Sequence, residues 1–285
     1  RVHMKIKSST MDKVFVTCNT IFLVLFVTIT LYPVLNTVAL SFNDGIDAVR
    51  GGIHLWPRIF TLSNYKTVLH QQNILTGAVV SVARTVLGTI FSLVTNALLA
   101  YIISRKRFLF RSQLSLFWVI TMYVNGGMIP TLVLYRNMNL TNSYAGLIMV
   151  YAGSSGLGYL ICKGFFDTVP VALREAAKLD GASEARIFFQ IVIPMSRPIL
   201  VYTIISSFLT PWTDFVVAKM ILNSGVSTDW TVAIGLYNML QKALVNSYFS
   251  RFCAGGVLVA IPISILFVIM QKFYVEGITS GAAKG

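Results

Sequence analysis

Residues 175–198 read EAAKLDGASEARIFFQIVIPMSRP and form a polar, charged segment between two long apolar runs. Connections between neighbouring helices are usually much shorter than these 24 residues. The segment also carries its own turn residues, Gly181 and two prolines. It therefore predicts a structured insert on one side of the protein, and such an insert is a candidate docking surface.

The composition of the chain is that of a membrane protein. Of its 285 residues, 55% are hydrophobic and only 12% are charged, whereas soluble domains carry roughly 25% charged residues. Apolar stretches of roughly 20 residues recur, and each is long enough to cross a hydrocarbon core of about 30 Å. Lipid satisfies no backbone hydrogen bonds, so only helices and closed barrels cross it. Because the runs are continuous rather than alternating, the sequence predicts an all-α polytopic fold.

The apolar runs predict a single transmembrane domain of six helices, extending over the whole chain. The predicted spans are residues 14–40, 74–104, 114–134, 144–166, 200–222 and 252–273, and residues 167–198 form the loop between the fourth and fifth. The first span follows a basic leader, but it exceeds the 7–15 apolar residues of a signal peptide and no small-residue cleavage site follows. We expect it to be a retained helix.

The net charge of +13 reflects membrane topology rather than nucleic-acid binding, because the basic residues cluster at the ends of the apolar spans. Fourteen Lys and Arg residues lie in the leader, in the loops after spans two and four and at the C-terminal end, against six in the other loops. Cytoplasmic loops are enriched in Lys and Arg. Both termini and the loop 167–198 are therefore predicted to be cytoplasmic.

Cysteine and histidine usage predicts no metal site. Cys18, Cys162 and Cys253 lie in or beside apolar spans, and their spacing fits neither a metal site nor a disulfide framework. The three histidines are far apart and outside the spans. We interpret the cysteines as small buried apolar residues.

Local sequence signals predict a first short helix in the loop. Asp167 or Thr168 is a candidate N-cap, and Pro170 fits a first helical turn. Residues 171–179 follow as a helix, and Gly181 is suited to the left-handed conformation that ends it.

A second short helix is predicted to begin at Ser183 and to run through Ile191, with Pro194 and Pro198 stopping it. The product would be a bent pair of rigid helices able to transmit a push. The alternative interpretation is an amphipathic segment at the lipid interface with solvated charges.

The same segment resembles the EAA signature of ABC importer permeases. The matching residues are Glu175-Ala176-Ala177, Asp180-Gly181-Ala182, Ile193-Pro194 and Pro198. The resemblance implies a cytoplasmic platform gripped by an ATPase subunit, in which Glu175 pairs with a basic residue of the partner. The docking residues that it implies are Glu175, Ala176, Ala177, Asp180, Gly181, Ala182, Phe188 and Pro194.

The resemblance extends over almost the whole chain and narrows to the carbohydrate-importer branch, the class of the maltose permeases. Residues 125–131, NGGMIPT, are similar to the GGxIPT of permeases for complex oligosaccharides and alginate. Residues 212–215, WTDF, resemble the branch's W-N-[DE]-[FY], with Thr213 in place of the usual Asn. The ending GAAKG, residues 281–285, is also similar to that subgroup.

The span-three motif supplies the first group of substrate-pathway candidates: Asn125, Gly126, Gly127 and Pro130. Glycine and proline interrupt a regular helix, and such breaks are tolerated where they are buried or line a cavity. A tight helix crossing explains the glycines equally well.

Trp212, Asp214 and Arg84 are the remaining pathway candidates. An ionisable group within a span usually faces a pathway or a partner, and Asp214 has Arg84 or Lys219 as alternative partners. A tryptophan beside a carboxylate suits a sugar, through ring stacking and hydroxyl hydrogen bonds. A polyuronate would instead be repelled by an unpaired Asp214 and would require basic groups such as Arg84.

As a whole, the resemblance implies a permease subunit in a bacterial cytoplasmic (inner) membrane, with no catalytic or cofactor residues of its own. ATP and Mg²⁺ would lie on two partner ATPase subunits, since no G-x-x-x-x-G-K-[ST] occurs in this chain. The other implied partners are a second permease, an extracytoplasmic solute-binding protein, a saccharide of neutral or acidic type, and membrane lipid.

Three alternatives remain open. Permeases for non-sugar solutes share the EAA loop. A secondary transporter would need intramembrane carboxylates, and the spans contain only Asp214. A membrane-embedded enzyme would need convergent His, Asp or Glu residues, which the spans do not supply.

Overall fold

The computed structural model describes residues 10–124, 126–153, 155–222, 230–242 and 248–282. Within these residues the chain is helical, and the β pairing is a single antiparallel bridge between Asn43 and Phe60. The predicted all-α class is therefore confirmed.

Fifteen helices and one π-helical turn make up the described part of the chain. They are α1 (Thr10–Ser41), α2 (Gly45–Ala48), α3 (Ser63–His70), α4 (Gln72–Ser104), α5 (Arg111–Tyr123), α6 (Met128–Asn137), α7 (Tyr144–Ala152), α8 (Gly156–Phe166), α9 (Val171–Leu179), α10 (Glu184–Ile187), the π turn (Phe188–Val192), α11 (Ile193–Met195), α12 (Arg197–Thr213), α13 (Val216–Ile221), α14 (Val232–Lys242) and α15 (Tyr248–Ala282).

Three helices are long and apolar enough to cross a membrane alone: Thr10–Ser41, Gln72–Ser104 and Tyr248–Lys272. Three further helix pairs meet the same length and composition criteria only when each pair is taken as one broken span. These are α5 with α6, bent by 115°, α7 with α8, bent by 40°, and Glu184–Met195 with α12, bent by 84°. The division into six spans stays a prediction.

The chain separates into two compact units, Arg1–His70 with Asn238–Leu258, and Gln71–Tyr237 with Val259–Gly285. In the first unit, a polar network folds the segment after α1. Asn64 donates to the carbonyls of Ser41 and Asn43 at 3.0 and 2.8 Å, and Arg58 pairs with the buried Asp47 at 3.0 Å. This segment is therefore held by specific hydrogen bonds.

The second unit is built around α4, which packs against α7, α8 and α12. Small residues let the helices approach closely: a Cβ on Gly158 of α8 would lie 2.9 Å from the Asn96 side chain of α4. Close backbone approach through small residues is the usual way to pack helices in lipid, where apolar burial gives little driving force. At one end of α4, Ala100 and Ile103 join Tyr159 in an apolar core.

The loop of residues 167–198, which we call the coupling loop after the role that its resemblance to the EAA signature implies, departs from the prediction at both of its ends. Asp167 and Thr168 do not cap α9: Thr168 donates its hydroxyl to Phe165 and Asp167 pairs with Lys163 of α8. Pro170 is itself the N-cap, so the first turn of α9 has no side-chain cap among the described contacts.

The sequence predicted that Pro194 stops the second helix of the loop. The structure shows that the helix continues past it, because a π turn precedes the proline. Helical backbone runs on through α11 and ends at Ser196. The amide of Ile193 bonds to the Phe188 carbonyl, five residues back. A wider turn of this kind eases the clash between a proline ring and the carbonyl four residues before it.

Candidate functional site

The first helix of the coupling loop ends as its glycine predicts. Gly181 has φ +76°, the left-handed region that glycine adopts without a Cβ penalty. The amide of Ala182 donates to Ala177 at 2.9 Å and that of Gly181 to Lys178 at 3.0 Å, the pair of bonds that closes a Schellman motif. The side chain of Ser183 then accepts from the Arg186 amide, which confirms Ser183 as the next N-cap.

Most of the predicted docking residues lie at the exposed end of α9. Glu175, Ala176, Asp180, Gly181 and, further along the loop, Pro194 are exposed. Ala177 and Ala182 are half-buried, and they pack against the apolar core. The exposed residues form the predicted docking surface, which we call the docking surface, and the two half-buried alanines fix it to the body of the protein.

Sequence reasoning missed the most prominent apolar side chain of this surface. Leu179 is 90% exposed at the last position of α9, immediately before the turn. High exposure is shared by other leucines of this chain, such as Leu109 at 88%, so Leu179 is a docking candidate because of its place among the predicted docking residues. Its position beside Asp180-Gly181, inside the quoted motif, was the available signal.

Phe188, by contrast, lies inside the protein and not on the docking surface. It is buried, and its ring centroid is 4.8 Å from that of Tyr101 in α4. Because the second part of the loop packs against α4, the ring faces the core that includes Ile187 and Val192. In this structure Phe188 anchors the loop within the chain, and its assignment to ATPase docking stays a prediction.

A second anchor is polar and was not predicted. Tyr101 Oη donates to Glu184 Oε2 at 2.8 Å, and Lys178 Nζ lies 2.5 Å from Glu184 Oε1. The Arg105 guanidinium lies 3.8 Å from the Tyr101 ring centroid and 3.6 Å from Glu184. Glu184 thus ties α9, through Lys178, to the end of α4. We call Tyr101, Lys178 and Glu184 the loop clamp.

A shallow basic pocket of about 300 Å³ adjoins the clamp. Arg105 and Arg174 contribute to its lining, together with Glu175 and Glu184. Burial lowers the pKa of the Arg174 guanidinium below its usual value, and the charge of Arg105 lowers it further. Glu175 therefore lies among cations of its own chain as well as on the docking surface.

Asp214 terminates one helix, starts the next and binds Arg84. Its carboxylate accepts from the amides of Val217 and Ala218 at 3.1 and 2.9 Å, which caps α13. Arg84 Nη2 donates to the Asp214 carbonyl at 2.9 Å, and Nη1 lies 3.6 Å from Oδ2. Of the two partners that the sequence left open, the structure selects Arg84, which is only 1% exposed.

Trp212 lies within the helix packing rather than beside Asp214 on an open wall. It is 7% exposed, its ring stacks on Phe208 at 5.7 Å, and Nε1 donates to the Val259 carbonyl at 3.1 Å. In this conformation the ring has no free face to offer a sugar. The assignment of Trp212 to the substrate pathway stays a prediction.

The span-three motif forms a break between α5 and α6. Gly127 has φ +85°, and Pro130 lies in the first turn of α6. A Cβ on Gly127 would meet nothing within 4 Å, and one on Gly126 would meet only Pro130 at 3.7 Å. The glycines therefore permit a turn rather than a tight crossing. Asn125, together with residues 283–285 of the C-terminal motif, lies outside the described residues.

A cavity of about 490 Å³ lies among α4, α7, α8 and α12. Most of its lining residues carry hydroxyl groups: Ser92, Tyr151, Ser155, Tyr202, Thr203, Ser206, Ser207 and Thr210. We call it the hydroxyl cavity. Five of these residues form one stripe of α12, spaced as on one helix face, so the pattern was visible in the sequence although it was not used. In the described residues, no group of three His, Cys, Asp or Glu is placed to hold a metal ion.

Comparison with known families decides the class of the protein. The pattern that defines the binding-protein-dependent transport system inner membrane component matches residues 7–280. The chain belongs to this family. The resemblance drawn from the EAA segment is thereby confirmed, and the coupling loop of this inner-membrane component is the segment that carried it.

Curated relatives cover nearly the full length of this inner-membrane component. It is 34% identical over 263 residues to the galactooligosaccharides transport system permease protein GanQ of Bacillus subtilis (strain 168), covering 90% of this chain and 91% of GanQ. It is 30% identical over 277 residues to the polygalacturonan/rhamnogalacturonan transport system permease protein YtcP of the same organism, covering 93% and 96%.

A solved structure has the same fold. A chain of a bacterial ABC transporter involved in the import of the acidic polysaccharide alginate superposes with a TM-score of 0.85 at 24% identity, covering 95% of this chain and 100% of that chain. The permease fold expected from the sequence is therefore confirmed.

Proposed function

We propose that this inner-membrane component is the permease subunit of an ABC importer that carries an oligosaccharide into the cytoplasm. The relatives whose names specify galactooligosaccharides and polygalacturonan support a saccharide substrate. The observation that supports the coupling role is the exposed end of α9, where Leu179 is 90% exposed. The loop clamp holds this end of α9 to α4. A force applied at this end reaches the transmembrane helices through packed contacts.

The proposed assembly contains two permease chains, two ATPase subunits that hold ATP and Mg²⁺, and an extracytoplasmic solute-binding protein. A transporter structure that includes a substrate-loaded periplasmic protein supports the last of these by fold likeness, with a TM-score of 0.56. Docking of the ATPase dimer on the coupling loop would shift the permease between inward- and outward-facing states. This chain itself would catalyse no reaction.

The competing secondary-transporter reading is disfavoured by the geometry of Asp214. An ion-coupling carboxylate has to take up and release its ion during the cycle. Asp214 already accepts two backbone amides and binds Arg84. We therefore assign it to the structure of the α12–α13 break.

Copurification with matched leucine variants tests the docking role. Leu179 at the docking surface and Leu109 in the loop after α4 are 90% and 88% exposed, so neither substitution disturbs the core. We expect Leu179→Asp to remove the ATPase from the complex purified in mild detergent, and Leu109→Asp to leave it bound. Equal recovery of the ATPase with both variants would refute the assignment, as would an intact chain that purifies without any ATPase.

Single-cysteine labelling tests the orientation. In a chain whose native cysteines are replaced by serine, Leu179→Cys and Trp56→Cys place thiols at positions that are 90% and 84% exposed. We expect a membrane-impermeant maleimide added to intact cells to label only the Trp56→Cys chain, and to label Leu179→Cys after lysis. Labelling of Leu179→Cys in intact cells would contradict the predicted cytoplasmic position of the coupling loop.

A further inference from the structure

The hydroxyl cavity has the composition of a carbohydrate site. Eight of its lining side chains bear hydroxyl groups, and two of these are the aromatic rings of Tyr151 and Tyr202. Hydroxyl groups both donate and accept, which matches the hydroxyls of a sugar. Aromatic faces suit the apolar face of a sugar ring.

Several of the hydroxyls are already oriented by the protein. Thr203 and Thr210 donate to backbone carbonyls of their own helix at 2.9 and 3.0 Å, and Ser155 accepts from the Gly158 amide at 2.9 Å. A hydroxyl that donates to the backbone keeps its oxygen lone pairs as acceptors. The wall therefore offers fixed acceptors for sugar O–H groups at little further cost in ordering.

The hydroxyl groups of the cavity disfavour lipid as its occupant. It lies among α4, α7, α8 and α12, all of them parts of predicted spans, and a row of hydroxyls facing hydrocarbon would lose hydrogen bonds. Such a surface in a membrane protein faces a water-filled path or a polar partner. Its volume of about 490 Å³ falls in the roughly 300–1,000 Å³ range of ligand pockets, enough for a short segment of a saccharide chain.

The charge of the cavity wall indicates whether it suits a neutral or an acidic sugar. Among the described residues that line the cavity, none is Lys, Arg, Asp or Glu. Arg84 lies close to Tyr151, with its guanidinium 5.9 Å from the ring centroid, but it binds Asp214. A polyuronate carries one carboxylate per residue and needs cations to replace its water. The polar side chains of this wall, as far as the structure describes it, are hydroxyls, and they lie beside apolar residues such as Val150, Leu157 and Ile161.

We infer that the hydroxyl cavity is a substrate subsite within this chain and that it takes a neutral saccharide segment rather than a polyuronate. The inference rests on the proposed importer function. It assigns substrate contact to α12 through residues 202, 203, 206, 207 and 210, rather than to the WTDF motif at the end of that helix.

The test uses the purified complex with all its subunits in proteoliposomes. ATP-driven uptake is measured with a neutral galacto-oligosaccharide and with an oligogalacturonate of equal length, each with the binding protein that copurifies. We expect uptake of the neutral sugar only. Ser206→Ala and Ser207→Ala are each expected to raise the half-saturating sugar concentration about three- to tenfold, the usual effect of one lost hydrogen bond.

Thr28→Val is the matched control. Its hydroxyl lies on the exposed face of α1, donates to the Val24 carbonyl at 2.8 Å and is outside the cavity. We expect no change in half-saturation for this variant. A bulky filling variant, Ser206→Phe, should abolish uptake while the ATPase and the second permease remain bound.

The outcomes separate the inference from the proposed function. Uptake of the galacturonate, or unchanged half-saturation in both serine variants, would overturn the subsite while leaving the importer intact. Loss of the second permease from the serine variants would also overturn it, because the cavity would then be a subunit contact. Absence of ATP-driven uptake of any saccharide would refute the proposed function itself.

Discussion

The guanidinium of Arg84 binds both the carbonyl and the carboxylate of Asp214, 130 residues further along the chain. It thereby joins the middle of α4 to the break between α12 and α13. The same carboxylate caps α13, so one ion pair fixes a helix end, a helix start and the packing of α4.

Removing Arg84 should therefore be more harmful than removing the pair. We expect Arg84→Gln to destabilise the protein by about 3–5 kcal/mol, because it leaves a largely buried carboxylate without its cation. The double variant Arg84→Gln/Asp214→Asn should recover part of this loss, since the amide oxygen still accepts from the α13 amides. Thermal unfolding of the detergent-solubilised complex measures both, and additive losses would contradict the ion-pair role.

Trp212 is expected to matter for stability and not for substrate binding. Trp212→Ala should cost about 3–5 kcal/mol, because it empties a buried ring site, whereas Trp212→Phe should cost about 1 kcal/mol for the lost bond to the Val259 carbonyl. Trp56→Phe, at an exposed position, is the control and should change neither property. A large rise in half-saturating sugar concentration in Trp212→Phe would place the ring on the pathway after all.

The same Glu→Gln substitution can be compared at Glu184, in the loop clamp, and at Glu175, on the docking surface. Glu184→Gln should loosen the loop clamp, because an amide binds Lys178 and Arg105 more weakly than a carboxylate does. We expect faster hydrogen exchange in α9 and α10. Glu175→Gln, at an exposed position, should leave exchange unchanged in the isolated chain and weaken ATPase binding. Similar exchange in both variants would show that the clamp does not order the loop.

A substitution at Gly181 distinguishes the cost of backbone strain from the loss of contact with the ATPase. A Cβ there would meet nothing within 4 Å in this chain, so Gly181→Asp should cost only the roughly 1–2 kcal/mol of a left-handed conformation. Transport should nevertheless be uncoupled from ATP hydrolysis, because the side chain would enter the space of the docked ATPase.

Gly51 provides the control for that prediction. It has φ +70° and likewise meets nothing within 4 Å, but it lies outside the coupling loop. Gly51→Asp should match Gly181→Asp in folding cost and keep wild-type uptake. Wild-type uptake in Gly181→Asp would refute the docking role of the turn.

Features coded by neighbouring residues were predicted correctly from the sequence. The bounds of α9, the left-handed Gly181 and the Ser183 cap all follow from contacts within five residues. The prediction for the coupling loop was wrong at Pro194, and the reason is equally local. A π turn, which no residue type specifies uniquely, lets the helix pass the proline.

The all-α membrane class and the family were determined by the sequence alone, because apolar length, charge asymmetry and the EAA pattern are properties of the chain in order. The tertiary structure decided which way side chains face. It turned Phe188 and Trp212 inward, paired Arg84 with Asp214 and assembled the hydroxyl cavity from four helices. These outcomes depend on packing between segments far apart in the chain, and local periodicity carries no information about which helix a face will meet.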